Sequence, residues 1–448
     1  MTTTQTDAVL SPKALWTIVG LLSASITINL LDRQVLSVLA SELRTQFQWT
    51  NAQYGYIAVA FNVGMMCGQV PAGSLLDRIG TRLGLAAIFV AWSLIGAAHA
   101  LAGPGTGIEA AARAILSLIP GFPILAAGLS GFILLRFLMG LSQCGNYTAG
   151  IKALAGLFPA ASRAKAGGFF NAGAQFGSVI APPIVVFLAA RFGWRMAFVI
   201  PALAGLIWLL PWLAIFPDKQ TMTAIAIKPA GKPMTSASTI GLGQLIRNRK
   251  VIGFCLIRIF TGPITTFYWT WLPLYLRTGR GMSFLALGFF ASVPNLIGMS
   301  GNVVGGMLTD RFVKASGSVD RGRKIAFTCA FGLGALSMTM PWVGNDYVAV
   351  LLMGLALFGN QWVAATYIGT VGDVVPQQFV GRVNGLAGLF DNGAVVLAVL
   401  YTGVVVDRYG WSPVFIGAGT LPFLAMASLF LVLRKIEPAH FGPPGDAH

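Results

Sequence analysis

The sequence predicts an all-α membrane protein with twelve transmembrane helices in two pseudo-symmetric six-helix bundles. Three observations carry this. First, of 448 residues 56% are apolar and 10% charged, where a soluble protein carries about 25% charged residues. Second, apolar runs near the length of about 20 residues that a membrane helix needs recur twelve times. Third, the two halves echo each other. A water-soluble multidomain enzyme, a disordered chain and a collagen-like chain are excluded by the same numbers. Fifty-five glycines and eleven tryptophans suit membrane helices, where small residues allow close approach and Trp sits at interfaces.

The spans follow in order. The first lies near 15–41, after a polar start whose one base is Lys13, and is too long for a signal-peptide core. Arg44 follows it. The second, near 52–76, is set off from the third, near 82–102, by Arg78 and Arg82. Residues 103–127 are apolar but broken by Gly and Pro and carry Glu109 and Arg113. They read as an extra external helix at the interface or over the bundle, either a peripheral decoration or a lid. The fourth and fifth spans, near 128–157 and 165–190, flank Arg163 and Lys165. Arg191 and Arg195 precede the sixth, near 195–216. The polar stretch 217–250 is then a linker, so the domains are 1–216 and 251–448. The remaining spans fall near 251–276, 284–312, 325–344, 346–374, 382–406 and 412–434.

The echo has a fixed offset. Arg191-Phe192-Gly193-Trp194 matches Arg408-Tyr409-Gly410-Trp411 at 217 residues, and the same offset pairs Pro159 with Pro376, Gly168 with Gly385 and Gln175 with Asn392. Gly73 to Arg78 is echoed by Gly306 to Arg311. Duplicated six-helix halves are a secondary-transporter architecture.

The formal charge of +16 suits a nucleic-acid binder or a cytoplasmic excess of bases. Alternating loops resolve it. One side receives nineteen Lys and Arg, among them Lys219, Lys228, Lys232, Arg323, Arg382, Arg434 and Lys435; the other receives seven. The positive-inside rule then places both termini and the linker in the cytoplasm, and no nucleic acid is implied. Cys67, Cys144, Cys255 and Cys329 sit in apolar runs and read as buried small side chains. The scattered histidines offer no metal cluster. No GxxxxGK[ST] loop supports ATP-driven pumping, and no GxSxG or HExxH motif supports an intramembrane enzyme.

Five charges remain at membrane depth: Asp32, Arg33, Arg136, Arg258 and Asp391. Such residues are expensive and mark function by default. Asp32 can carry a proton. Arg33 and Arg136 can grip a carboxylate through a two-point fork; a helix-bridging salt network is the structural alternative. Arg258 lies nearer the cytoplasmic end of the seventh span and can also snorkel to headgroups. Gln143, Gln175, Asn360, Gln361 and Asn392 form a ring of amides midway along symmetry-related spans. They suit the hydroxyls and carboxylates of a polar solute, or helix-to-helix bonding.

The run Gly73-Ser74-Leu75-Leu76-Asp77-Arg78-Ile79-Gly80-Thr81-Arg82 resembles the signature between the second and third helices of the major facilitator superfamily. The resemblance implies the major facilitator fold and a gate at Gly73, Asp77, Arg78, Gly80 and Arg82, with a second copy at Asp310 and Arg311. Over most of the chain, Leu31-Asp32-Arg33, Arg136 to Gly140, Gly145-Asn146, Phe170 to Gly173, Ala181-Pro182-Pro183 and Phe192 to Arg195 resemble the anion:cation symporter family, especially its sugar-acid transporters. This implies proton-coupled uptake of a small organic anion by alternating access, with no cofactor beyond the proton. It implies proton coupling at Asp32, substrate contacts at Arg33 and Arg136, and substrate amides at Gln175 and Asn392. Two positions depart. Gln143 stands where sugar-acid members carry a Glu, and Met65 where many carry Tyr. Asp391 is then an added acid that can replace the missing one. An anion uniporter or exchanger, a lipophilic-drug efflux pump and a membrane sensor are the rival readings. The protein is expected to work as a monomer in the bilayer.

Overall fold

The computed structural model describes residues 11–119, 126–158, 160–218 and 242–438. Residues 219–241 of the expected linker, 120–125 of the extra segment, and Pro159 of the repeat lie outside the described residues. The chain divides into two compact units, Met1–Ala230 with Ser283–Ser292, and Gly231–Met282 with Val293–His448.

The first unit is built from α1 (Pro12–Phe47), α2 (Asn51–Ile79), α3 (Thr81–Ala98), α4 (Gly107–Leu116), α5 (Leu129–Leu157), α6 (Ala160–Phe192) and α7 (Trp194–Ile215). Local chemistry sets the ends. Ser11 caps α1 ahead of Pro12, and Thr50 and Gln53 form a reciprocal capping box on α2. Gly80 (φ 84°) and Gly193 (φ 83°) turn the chain where a side chain would be strained. In the second unit α8 (Leu242–Arg247) precedes α9 (Arg249–Thr278). Then come α10 (Phe284–Phe290), which groups with the first unit, α11 (Ser292–Ser316), α12 (Val319–Gly334), α13 (Asp346–Val374), α14 (Gln377–Tyr409) and α15 (Ser412–Ala427). The last continues as a π-helical turn, Ser428–Leu433.

Among the described residues ten helices are long and apolar enough to cross a membrane, and α2, bent by 46° at Pro71, is an eleventh. The twelfth expected span is α5. At 29 residues it is long enough, but Arg136, Gln143, Asn146 and Lys152 dilute its apolar character.

The two units use one pairing scheme. In the first, α1 packs on α6 and α7, and α3 on α5 and α7. In the second, α9 packs on α14 and α15, and α12 on α13 and α15. The echoed Gly193 and Gly410 both have positive φ, at 83° and 73°, between the helices they join, so the repeated motif is a repeated turn. Small residues let the helices touch. Cβ atoms on Gly64 and Gly140 would strike the backbone carbonyls of Phe137 and Phe61, so α2 and α5 are in reciprocal backbone contact. On α6, Gly173 and Gly177 meet the α1 carbonyls of Ser23 and Thr27 in the same way. One expectation is corrected: Cys144 and Cys255 are buried, but Cys67 and Cys329 are exposed, because each sits on an outward face of its helix.

Candidate functional site

The first unit gathers its intramembrane charges where α1, α3 and α5 pack together. Asp32 on α1 is buried, and its Oδ2 accepts a hydrogen bond from Trp92 Nε1 of α3 at 3.0 Å. The indole is held in turn by aromatic packing: Phe89 lies tilted against Trp92 with ring centroids 3.8 Å apart and stacks on Trp208 at 4.1 Å. Arg33, the next residue, points elsewhere, as the roughly 100° turn per residue requires. Its guanidinium lies 4.7 Å from the centre of the Phe61 ring of α2.

Arg136 is the most buried of these charges at 2% exposure. Its Nη1 donates to the Arg33 carbonyl at 3.4 Å and points at the Met139 sulfur at 3.7 Å. Its Nε and Nη2 have no hydrogen-bond partner. Asp32 is its attractive ionic neighbour and Arg33 a repulsive one, and the neutral phenol of Tyr54 lies close by. A buried guanidinium with two donors unmet is costly, so it is a position to which a ligand anion can bring what the protein withholds.

More unmet donors lie on the same helices. Gln143, two turns along α5 from Arg136, is buried with both amide atoms unpartnered. Asn146 accepts from Ser25 Oγ at 3.1 Å while its Nδ2 is unpartnered, as is that of buried Asn29 on α1. Gln175 on α6 is half-buried.

The extra segment has a definite job. Glu109 of α4 is buried, and its carboxylate accepts from the backbone N–H groups of Gly128 at 3.2 Å and Gly131 at 2.7 Å. A carboxylate at the start of α5 meets its unpaired N–H groups and its positive dipole end. Arg113 holds Glu109 at 2.9 Å from the solvent side. The expected decoration is thus an anchor for the helix that carries Arg136.

In the second unit Arg258 of α9 pairs with Asp391 of α14. The ion pair joins two helices and gives Arg258 a partner that neither reading of it, function or snorkelling, names. Gly262, one turn on, makes the room: a Cβ there would collide with the Asp391 carboxylate. Arg258 also lies 5.8 Å from the centre of the Tyr367 ring, whose hydroxyl is unpartnered. Asp391 Oδ1 is likewise unpartnered. Asn360 Nδ2 donates to Thr265 Oγ1 at 2.5 Å, and Gln361 is buried beside it in sequence. Asn392 donates to the Gly388 carbonyl of its own helix at 2.8 Å.

The gate residues divide. Asp77 pairs with Lys152 of α5 at 2.5 Å, and the same ammonium reaches the Leu76 carbonyl at 3.2 Å. Arg82 donates to the Leu213 carbonyl, and Trp212 Nε1 donates back to the Arg82 carbonyl at 3.0 Å, tying α3 to α7. Gly73 and Gly80 face open space or a turn, and Arg78 is exposed. In the second unit Asp310 and Arg311 are exposed. At that end Arg323 pairs with Asp373, at 2.9 and 3.1 Å, and Lys324 with Asp320, at 2.8 Å.

Sequence reasoning did not find Trp92, Tyr54, Asn29, Asn146 or Lys152 as partners in these clusters. Lone aromatics and amides in apolar runs carry no spacing signal; their pairing is a property of packing.

The comparisons with known proteins agree with this architecture. A model of the Major Facilitator Superfamily matches residues 22–318 and 315–447. The probable galactarate/D-glucarate transporter GudP of Bacillus subtilis is 30% identical over 441 residues, covering 94% of this chain and 92% of that protein. The hexuronate transporter of Escherichia coli K12 is 28% identical, covering 95% of each. A bacterial homologue of the human lysosomal transporter Spinster, solved inward-facing and occupied, shares the fold. Its TM-score is 0.72 at 15% identity, over 95% of this chain and 98% of that one.

Proposed function

The chain belongs to the Major Facilitator Superfamily of transporters, and on that premise we propose that it takes up a sugar-acid anion with a proton across the bacterial cytoplasmic membrane, by alternating access. The observation that carries the reading is Arg136: a buried guanidinium with two unmet donors, beside the buried carboxyl of Asp32. Relatives named for galactarate, D-glucarate and hexuronate support a polyhydroxylated carboxylate as the solute.

The cycle follows from charge balance. With Asp32 ionised, its negative charge attracts Arg136. A proton from outside neutralises Asp32, and Arg136 then has no competing anion. The substrate carboxylate takes its place through the free Nε and Nη2, which present the forked geometry a carboxylate fits. Arg33 adds a second positive charge. Gln143 and Gln175 hold substrate hydroxyls, and Asn360, Gln361 and Asn392 are the second unit's candidates for that task. Asp391 is a second proton carrier, screened by Arg258. The gate is formed by Asp77 with its neighbours Gly73, Arg78, Gly80 and Arg82, and by Asp310 and Arg311. The termini face the cytoplasm, and the monomer is the working unit.

The test is uptake of labelled galactarate and glucuronate into proteoliposomes under an imposed proton gradient. Asp32→Asn should abolish accumulation above equilibrium while leaving counterflow exchange. Full gradient-driven accumulation in that variant would refute the coupling role. A second reading, anion exchange with little proton coupling, is favoured by one observation: Gln143 is buried and cannot titrate. Under that reading uptake is independent of the gradient in the native chain, and Gln143→Glu confers it.

A further inference from the structure

The start of α9 and the end of the π-helical turn after α15 meet at a cleft that the transport cycle does not use. Its volume is about 450 Å³, and Arg249, Lys250, Leu433, Arg434, Lys435 and Glu437 line it. Four bases thus face one acid. Arg249 and Arg434 are oriented by backbone carbonyls, which leave their charge uncancelled, while Lys250 also faces the Glu437 carboxylate. Arg249 donates through Nε to the Val432 carbonyl at 2.9 Å and through Nη2 to the Leu431 carbonyl at 2.6 Å. Lys250 Nζ donates to the Glu437 carbonyl at 2.7 Å, with the Glu437 carboxylate 3.8 Å away.

The backbone is bent to make this rim. Arg434 has φ 58° and ψ −85°, a conformation that L-residues seldom adopt and that is kept only where the surroundings enforce it. Its N–H closes the π turn onto the Leu429 carbonyl at 2.9 Å. Two residues on, Asp320 Oδ1 fixes the chain by accepting from Ile436 N–H at 2.7 Å, while Lys324 holds its other oxygen at 2.8 Å.

The location identifies the occupant. Arg249 begins one candidate span and Leu433 ends another, so the cleft lies at the depth of lipid headgroups. Its flank is apolar: Phe430, Leu431 and Ile252 are 45%, 68% and 39% exposed, and Ile252 is one turn along α9 from Arg249. We infer that the cleft binds the headgroup of an anionic phospholipid, with the phosphate among the four bases and the acyl chains along Phe430, Leu431 and Ile252. A free phosphate offers the same oxyanion chemistry but leaves that apolar flank unused.

Native mass spectrometry and thermal melting of the purified full-length chain test this with phosphatidylglycerol, phosphatidylcholine and inorganic phosphate as probes. Phosphatidylglycerol should be retained and should raise the melting temperature; phosphatidylcholine should do neither. Each base near an anionic lipid surface adds about fivefold in affinity, so R434Q/K435Q should bind about twenty-five-fold more weakly. R434K/K435R should retain binding, and Lys314→Gln, an exposed base elsewhere, should leave it unchanged. Equal retention of phosphatidylglycerol by R434Q/K435Q, or equal retention of phosphatidylcholine, would overturn the inference. So would displacement of the lipid by millimolar inorganic phosphate, which would mark a soluble-anion site. None of these outcomes bears on Arg136 or Asp32, so the reading of the transport site is tested separately.

Discussion

The two units share a pairing scheme but treat their buried charges in opposite ways. In the second unit Arg258 and Asp391 pair directly, so the charge is cancelled within the protein. In the first unit the acid is spent on an indole N–H and the guanidinium is left with two donors unmet. A closed pair joins two helices; unmet donors can take a ligand. Duplication supplied one framework twice, and one copy pairs its arginine with an acid while the other leaves its arginine with unmet donors.

The largest effect should come from removing the two arginines. Breaking a buried pair by deleting one partner costs about 3–5 kcal/mol, whereas replacing both partners by apolar groups is often neutral. Arg258 is one-third exposed, so its cost falls at or below the low end. Arg258→Met should therefore lower the melting temperature, and R258M/D391L should restore it. Arg136→Met should behave in the reverse sense. The fold loses an unsatisfied charge, so thermal stability should hold or rise. Transport should fall by about 100-fold or more, the value of two charge-assisted hydrogen bonds. Melting curves with paired uptake assays decide it. An Arg136→Met protein that unfolds would make the first cluster structural glue and erase the contrast.

That contrast was only half legible in the sequence. The span pattern, the duplicated halves and the five charges at depth could all be read, because apolar run length and the cost of a buried charge are local properties. The membership of each cluster could not. Arg258 and Asp391 are 133 residues apart, and Asp32 and Trp92 are 60 apart; no period in the chain connects them. Nor did composition show that Glu109 caps α5, since a lone Glu in a Gly-rich segment reads equally well as surface. The amide ring was seen as a pattern, but its members do different things: Asn392 bonds its own helix and Asn360 a threonine, while Gln143 bonds nothing.

Glycines offer a smaller, sharper test. A Cβ on Gly140 would press on the α2 backbone at Phe61, which cannot rotate away. A Cβ on Gly262 would meet the Asp391 carboxylate, which can swing aside but then leaves Arg258. Gly140→Ala should therefore cost about 1–3 kcal/mol through overpacking in any background. Gly262→Ala should cost less, and its cost should disappear in an R258M/D391A background, where no atom remains beyond Cβ at position 391. Equal penalties for Gly262→Ala with and without the ion pair would show that Gly262 serves packing alone.

The smallest effect concerns the ion pairs at the loop ends, which the two units build from different helices. In the first, the acid is on α2 and the base, Lys152, on α5. In the second, the base, Arg323, is on α12 and the acid, Asp373, on α13. The residue 217 positions after Lys152 is Gly369, and the Arg323 guanidinium lies over it. Removal of the base from one helix is thus matched by its delivery from the neighbour. The exposures differ: Lys152 and Asp77 are 41% and 75% exposed, Arg323 and Asp373 14% and 39%. Exposed pairs contribute about 0–1 kcal/mol and are screened by salt. In double-mutant cycles read by thermal melting, Asp77–Lys152 should show the weaker coupling and lose it at high ionic strength. Arg323–Asp373, donating through both Nε and Nη2 to one carboxylate oxygen, should couple more strongly and keep more of it in salt. The reverse order would mean that solvent exposure does not govern these pairs, and that the first unit's contact is sustained by the Lys152 bond to the Leu76 carbonyl.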